Sequence, residues 1–252
     1  MRDEGIRLLN RTAVTAVAQQ KSDIAITLST GETLRGSHLL VAAGRKPNIE
    51  SLNLTAAGIA ASPSGIVVDA GLRTSNRRVY AIGDAAGGLQ FTHVASHQAG
   101  LVIRSALFAL PVRYRADTMP RTTFTDPELA QVGLTEGEAR QRLGDAVRVL
   151  RAAFAANDRA IAEGDTRGMV KIVTGRRGII LGAGIVGAGA GDLIQPWVLA
   201  IENTLPLKAM AGSVFPYPAR GETGRRAAVG HYAGLAANPW VRRIIGLAAR
   251  LR

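Results

Sequence analysis

The segment 179-IILGAGIVGAGAGDLI-194 decides how this chain folds. Gly182, Gly184 and Gly187 satisfy the dinucleotide spacing G-x-G-x-x-G behind an apolar run, and Glu202 follows about twenty residues on, where a ribose-binding carboxylate would belong. A nucleotide-binding reading needs a helix from Ile185 to about Pro196. Gly187, Gly189 and Gly191 weaken the start of such a helix, and Pro196 interrupts its end. It also needs Glu202 to close a second strand, yet "WVLAIENTL" (197–205) has helical rather than alternating spacing. The glycine match is therefore read as a decoy, a strand running into a helix with no nucleotide at its turn.

Working outward, 252 residues with 47% hydrophobic content leave room for two modest domains with real cores. No apolar run approaches the roughly twenty residues of a membrane span. The N-terminal "MRDEGIRLLN" lacks a secretory pattern, so the expected location is cytoplasmic, with attachment to the inner face of the membrane as the alternative. The absence of cysteine excludes disulfide scaffolding, thiolate metal sites and a cysteine redox centre within these residues. Of the histidines His38, His93, His97 and His231, only His93 and His97 stand at helical spacing, and without a third ligand no metal site is expected. The net charge of +12 comes mostly from scattered arginines, and only 4% of residues are aromatic, which argues against nucleic acid as a partner. Charge concentrates in "RGETGRRAA" (220–228) and "NPWVRRIIGLAARLR" (238–252).

"AVTAVAQQ" and "DIAITLSTGETLRGSHLLVAAG" predict two strands, a turn at Ser29–Gly31 and a buried strand His38–Ala42. Short strands are expected around Ile66–Val68 and Val79–Ile82, then a helix from Thr92 to Leu110, stopped by Pro111. Beyond Pro120 the pattern changes. "RTTFTDPELAQVGLTEGEARQRLG" reads as strand, turn and a helix with a Thr135/Glu138 capping box. Further strands, a hairpin turn at Gly175–Gly178 and helices complete a mixed second half.

The most informative chemistry lies in "RTSNRRVYAIGDAAGG" (73–88). A short strand ends in Gly83-Asp84, glycines at 87 and 88 turn the chain, and a helix starts near Thr92. Glycine admits close approach to the backbone, a carboxylate accepts hydrogen bonds from sugar hydroxyls, and a helix N-terminus favours negative charge. The alternative reading is an ordinary strand-to-loop turn.

"LLVAAGRKPN" (39–48), "LRTSNRRVYAIGDAAGG" (72–88), "FTDPELAQVGLTE" (124–136), "FAANDRAIAEG" (154–164) and "ILGAGIVGAGAGDLI" (180–194) occur in this order. Together, from about Gly5 to about Ala228, they resemble the flavin-dependent pyridine nucleotide–disulfide oxidoreductases, in their mercuric reductase-like and dihydrolipoamide dehydrogenase-like branch. The resemblance implies an α/β plus α+β chain, with a partial FAD/NAD(P)-binding sheet domain followed by a mixed α+β dimerisation domain. It divides the sequence into a remnant of the NAD(P)-binding domain (1–43), the C-terminal part of the FAD-binding domain (44–118), the dimerisation domain (119–236) and a basic amphipathic C-terminal helix (237–252). It implies that Gly83 and Asp84 hold the ribitol–pyrophosphate part of FAD, that Gln90, Phe91, Thr92 and His93 form a helix start facing the flavin, and that Gly44 lies near NAD(P)H. For His93, a purely packing or capping role stays open.

Two departures qualify the resemblance. Members of the family are about twice this length and begin with a flavin G-x-G-x-x-G, a C-x-x-x-x-C pair and a complete nicotinamide unit, none of which stands here. Apolar strands of a truncated sheet would then lack partners. The family's H-x-H-P-T-x-x-E also reads "VFPYPARGETGRRAA" (214–228), with Phe215 and Tyr217 at the histidine positions, Ala219 for threonine and Glu222 for glutamate. A phenol of pKa about 10 is a poor base where imidazole, at about 6.5, is a good one, so the thiol acid–base role of this place is expected to be lost or altered. Tyr217–Pro218 is expected to be cis.

In the tail, a helix would set Trp240, Ile244, Leu247 and Leu251 along one side and Arg242, Arg243 and Arg250 along the other. It would pack on its own domain or a dimer partner, or rest on an anionic membrane. The expected function is the C-terminal half of an FAD-dependent NAD(P)H oxidoreductase, supplying part of the FAD site and a homodimer interface. The alternative is a non-catalytic dimerisation module, or a subunit complementing a separate N-terminal half.

Overall fold

The computed structural model describes residues 2–233 and 238–250. The expected domain boundary at 236/237 and Leu251 lie outside them. The chain divides into two compact units, Met1–Pro47 and Asn48–Arg252.

The first unit is an antiparallel meander of β1 (Val14–Gln20), β2 (Asp23–Leu28) and β3 (Thr33–Gly36). Gly31, at φ 86°, turns the β2–β3 hairpin, where the Leu28 N–H meets Glu32 O at 2.8 Å. Its apolar interior is thin, with Ala25 and Leu28 the buried hydrophobics. The buried strand expected at His38–Ala42 is absent. The segment is irregular, and Leu40 and Val41 are 88% and 74% exposed. An apolar run has strand propensity, but with no described neighbour to share ladder hydrogen bonds it does not pair.

The second unit opens with loops around a two-stranded hairpin, β4 (Ala61–Ser62) and β5 (Gly65–Ile66). Strand structure does not reach Val68, and the strand expected over Val79–Ile82 contracts to a single bridge between Arg73 and Tyr80. A tight loop, with the Val79 N–H on Asn76 O at 2.8 Å, leaves no room for a longer ladder. Helix α1 (Thr92–Phe108) ends two residues earlier than expected, at a left-handed Ala109.

The rest is a five-stranded antiparallel sheet with helices. Its strands are β6 (Arg121–Thr123), β7 (Leu129–Gly133), β8 (Arg148–Ala153), β9 (Met169–Thr174) and β10 (Ile180–Val186), in the order β6-β7-β10-β9-β8. In register, Ala183 faces Val132 and Ile172, and Ile185 faces Ala130 and Val170. Period-two alternation puts these six side chains on one buried face. Against it lie α4 (Ala190–Leu193), α5 (Gln195–Glu202), α6 (Leu207–Gly212) and α7 (Glu222–Ala233), which contribute Ala190, Trp197, Leu207 and Ala228, with Ile194 between α4 and α5. Helix α2 (Glu136–Leu143) carries the expected capping box: Thr135 Oγ1 accepts from the Glu138 N–H, and Glu138 accepts from the Thr135 N–H at 2.8 Å. It adds Ala139 to a smaller cluster with Val147 and Val173.

The glycine-rich segment is thus β10 followed by two short helices. The two helices meet at Ile194, whose backbone stays helical, and Pro196, which has no N–H to donate, sits in the first turn of α5. What fixes the glycines is close packing. A Cβ on Gly182 would stand 1.9 Å from the Leu134 carbonyl oxygen, and one on Gly187 would stand 2.5 Å from the Phe154 ring. Gly182→Ala should therefore destabilise the sheet unit by about 3 kcal/mol or more, because backbone atoms cannot yield. Gly189→Ala, where φ is 68° but nothing lies within 4 Å, should cost about 1 kcal/mol from conformation alone. Urea denaturation of both variants checks the ranking, and near-native stability of Gly182→Ala would contradict it.

Candidate functional site

The stretch from Leu72 to Gly88 is held by backbone pairing and by one buried amide. The Thr74 N–H meets Val79 O at 3.0 Å, the Ala81 N–H meets Leu72 O at 3.2 Å, and the Arg73 guanidinium lies 4.7 Å over the Tyr80 ring. This brings the chain to a 3₁₀ turn at Gly83–Ala86. Gly83 has φ 60°, and its N–H donates to Gln98 Oε1 at 2.7 Å. Gln98 is 3% exposed and shares a face of α1 with Val94 and Leu101. At Gly87 a Cβ would fall 2.1 Å from Ser64 O, so the turn is wedged between the β4–β5 hairpin and α1.

Helix α1 then starts without a side-chain cap. Phe91 stands at the N-cap, where Ser, Thr, Asp or Asn would normally satisfy an N–H of the first turn. No N-cap side chain compensates the positive end of the helix dipole. It borders a cavity of about 610 Å³ lined by Phe91, Thr92, His93, Pro120, Phe124 and Gln195, among others. His93 stacks on Phe91 with ring centroids 5.2 Å apart, and its Nε2 lies 2.9 Å from Pro120 O. A carbonyl only accepts, so Nε2 carries the proton and the ring braces the helix start against the strand that follows.

Gly83, Asp84, Gln90, Phe91, Thr92 and His93 thus fall on one continuous turn-to-helix segment; Asp84 is exposed, and of these six only Phe91, Thr92 and His93 line the cavity. Gly44, at φ 93°, belongs to the other compact unit.

Tyr217 and Glu222 form a second group around the loop that enters α7. The Tyr217–Pro218 bond is cis. The phenol, 71% exposed, donates to Asp158 Oδ2 at 3.0 Å. Asp158 begins α3 (Asp158–Ala162). Its neighbour Asn157, 2% exposed, accepts from the Ala160 N–H at 2.9 Å and donates to Ala219 O at 3.0 Å, capping α3 and tethering the loop together. Arg220 donates to Glu163 at 2.8 Å and to Asp165 O at 3.0 Å, with its guanidinium over Phe154. The Arg226 guanidinium donates to Ala156 O. The carboxylate that Tyr217 engages is therefore Asp158. That hydrogen bond holds the phenol above its ordinary range, and Glu222, the first residue of α7, adds a smaller push in the same direction. Glu163, paired with Arg159 and Arg220, is held below the usual carboxylate range.

Gln98, Asn157, Asp158 and Arg220 are the residues that sequence reasoning did not single out. Gln98 was detectable as a polar side chain on the apolar stripe Val94–Leu101, a position that requires a partner. Asn157-Asp158 carries a helix N-cap signal, but its link to a loop some sixty residues on is purely tertiary.

Comparisons with known proteins place the chain in a family. Residues 1–99 match the model of the pyridine nucleotide-disulphide oxidoreductases, and residues 119–228 match that of the pyridine nucleotide-disulphide oxidoreductase dimerisation domain. A dihydrolipoyl dehydrogenase of Rhizobium etli is 34% identical over 235 residues, covering 90% of this chain and 48% of that protein. A mercuric reductase of Acidithiobacillus ferrooxidans is 36% identical over 220 residues, covering 86% and 39%. Among solved structures, LpdA of Mycobacterium tuberculosis superposes with a TM-score of 0.86 at 29% identity, over 92% of this chain and 51% of that one. The HOCl-induced flavoprotein disulfide reductase RclA of Escherichia coli gives 0.80 at 27% identity, over 90% and 53%. The chain spans about half the length of the relatives it matches. With both family models matching in sequence order and the fold shared, the chain belongs to the pyridine nucleotide–disulfide oxidoreductase family.

Proposed function

We propose that this chain forms one wall of the FAD site and the homodimer interface of an FAD-dependent NAD(P)H oxidoreductase. The observation that carries the reading is the start of α1, with no N-cap side chain, beside a glycine turn braced by Gln98 that carries the exposed Asp84. The fit to FAD is good. Asp84 offers acceptors for ribitol hydroxyls, Gly83 lets the turn pack closely on Ala95 of α1, and the first turn of α1 at Thr92 and His93, entered through Gln90 and Phe91, presents its positive end toward negative charge. Gly44 would serve NAD(P)H from the first unit. When bound, FAD would supply the hydride-accepting chemistry, and the residues of this chain bind and orient it.

Tyr217 takes a different part from the histidine of its relatives. A phenol already donating to Asp158, and raised in pKa by it, is neutral at physiological pH and acts as a donor. It does not serve as a base toward a thiol. Glu222 contributes charge near the phenol. The domain limits 1–43, 44–118 and 119–236 follow the same reading.

A second reading is favoured by the exposed apolar segment at Leu40 and Val41. On it, the chain complements a separate N-terminal half that supplies the missing strands, the cysteine pair and the rest of the flavin pocket. The dimer interface would then form independently of flavin.

Two experiments test these assignments. The chain, alone and coexpressed with the segment encoded directly upstream of Met1, should quench flavin fluorescence on FAD addition. Asp84→Ala should weaken that binding about tenfold or more, the equivalent of losing a charged hydrogen bond. A colourless protein under both conditions, or full affinity in Asp84→Ala, would refute the FAD assignment, while light scattering reports the dimer separately. For Tyr217, a raised pKa means that its stabilising contribution is present below the unfolded value of about 10 and is lost as pH rises through the folded value. Ultraviolet tyrosinate titration should show two late phenols, Tyr217 and the partly buried Tyr114, and the Tyr217 one should disappear in Tyr217→Phe and move earlier in Asp158→Asn. An unshifted titration in Asp158→Asn would contradict the pairing.

A further inference from the structure

The last thirty residues hold a feature that the flavin reading does not use. After Glu222 the sequence contains Arg225, Arg226, Arg242, Arg243, Arg250 and Arg252, and no Asp or Glu. Within it, α8 (Pro239–Arg250) is nucleated locally: Asn238 Oδ1 accepts from the Trp240 N–H at 2.9 Å, and Pro239 occupies the first turn. This helix needs no tertiary partner to start.

Two of its apolar side chains, Trp240 and Ile244, stand one turn apart and are 71% and 65% exposed, while Val241 is half-buried. Arg242 and Arg243 are also exposed, and the Arg243 guanidinium lies 5.6 Å from the Trp240 ring centroid. An exposed tryptophan with an arginine over its ring is an arrangement suited to the boundary between water and lipid headgroups, where an indole is half apolar and a guanidinium meets phosphate. A protein partner of mixed charge would leave this uniformly basic run uncompensated, whereas an anionic lipid surface complements it over its whole length.

The region where α8 is rooted has the same sign. Helix α7 ends at Ala233, and the five intervening residues limit the separation of Ala233 and Pro239 to roughly 20 Å. Beside the last turn of α7 is a cavity of about 620 Å³ lined by Arg148, Arg176, Arg177 and His231, with Asp145 its one carboxylate. Among the described residues none of those three guanidiniums makes an ion pair. No helix of the described residues is long and apolar enough to cross a membrane, so contact would be with one surface only.

We propose that α8 docks this chain on an anionic lipid bilayer, with Trp240 and Ile244 entering the headgroup boundary and Arg242 and Arg243 meeting lipid phosphates. The proposal is independent of flavin binding.

Cosedimentation of the full chain tests it, using vesicles of phosphatidylcholine with about 30 mol % phosphatidylserine against phosphatidylcholine alone. The chain should partition onto the anionic vesicles roughly tenfold better than onto the neutral ones, and the advantage should vanish in high salt. Trp240 emission should shift to the blue on binding, while the buried Trp197 reports no change. Arg242→Glu/Arg243→Glu should abolish the charge-dependent part, and Trp240→Ser/Ile244→Ser should abolish stable binding. Both pairs are solvent-exposed, and unchanged far-ultraviolet circular dichroism certifies the fold of each variant. Failure to bind anionic vesicles overturns the proposal. So does binding that survives both double substitutions, or a change of oligomeric state in Trp240→Ser/Ile244→Ser without any vesicle binding, which would assign the helix to a second copy.

Discussion

The closeness with which β10 is packed governs the rest of the sheet unit. It is the middle strand, hydrogen-bonded to β7 on one side and β9 on the other, and its glycines let neighbouring atoms occupy space that any side chain would take. Gly182 lies beneath the Leu134 carbonyl, and Gly187 gives its space to Phe154. Phe154 is wholly buried and also lies under the Arg220 guanidinium, so the strand end and the loop before α7 share one packing unit. The same economy recurs between helices. A Cβ on Gly224 would meet the Trp197 ring at 2.7 Å, which sets how closely α7 can lie on α5. Small residues at these points convert an apolar pattern into a defined geometry, and that geometry places the Tyr217 loop.

Both candidate groups rely on a buried amide side chain. Gln98 takes the Gly83 N–H, and Asn157 joins the α3 N-terminus to Ala219 O. Each is 2–3% exposed, so each would carry a desolvation cost if its partner were lost. A buried amide satisfied by backbone accepts only a narrow range of loop positions, which makes it a better positioning device than an exposed ion pair. The exposed pairs nearby, such as Arg167 with Asp126 and Asp165, add charge ordering at the surface but little fixation.

Much of this was legible in the sequence, for identifiable reasons. The capping box at Thr135 and Glu138, the helix from Thr92 and the hairpin at Gly175–Gly178 are local signals, and local hydrogen bonding realises them. Reading the G-x-G-x-x-G of β10 as a decoy rested on helix propensity at Gly187–Gly191 and on Pro196; helix begins only at Ala190 and is divided at Ile194, whose backbone stays helical, into α4 and α5. What failed was strand prediction at His38–Ala42 and Val79–Ile82. Strand structure depends on a neighbour with free ladder groups, and an isolated segment cannot report whether one exists. The contacts from Asn157 to Ala219 and from Asp158 to Tyr217 were equally illegible, since each joins residues far apart in sequence with no periodic signature.

If the resemblance is followed, tyrosine stands at residue 217 where a histidine is expected, and that changes the meaning of a neighbouring carboxylate. Beside an imidazole, a carboxylate stabilises the cation and makes the ring a stronger base. Beside a phenol it opposes formation of the anion, so the same negative charge makes the hydroxyl a weaker acid. Asp158 therefore works against Tyr217 as a substitute general base and favours its neutral, donating form. The surrounding architecture is consistent with that assignment. Asn157 and Arg220 hold the loop from both sides, and a rigid loop carrying a proton that stays in place is suited to orienting a ligand or a partner chain. On the proposed reading, this end of the chain has exchanged proton transfer for positioning, and any base required by the complete enzyme has to come from residues other than Tyr217.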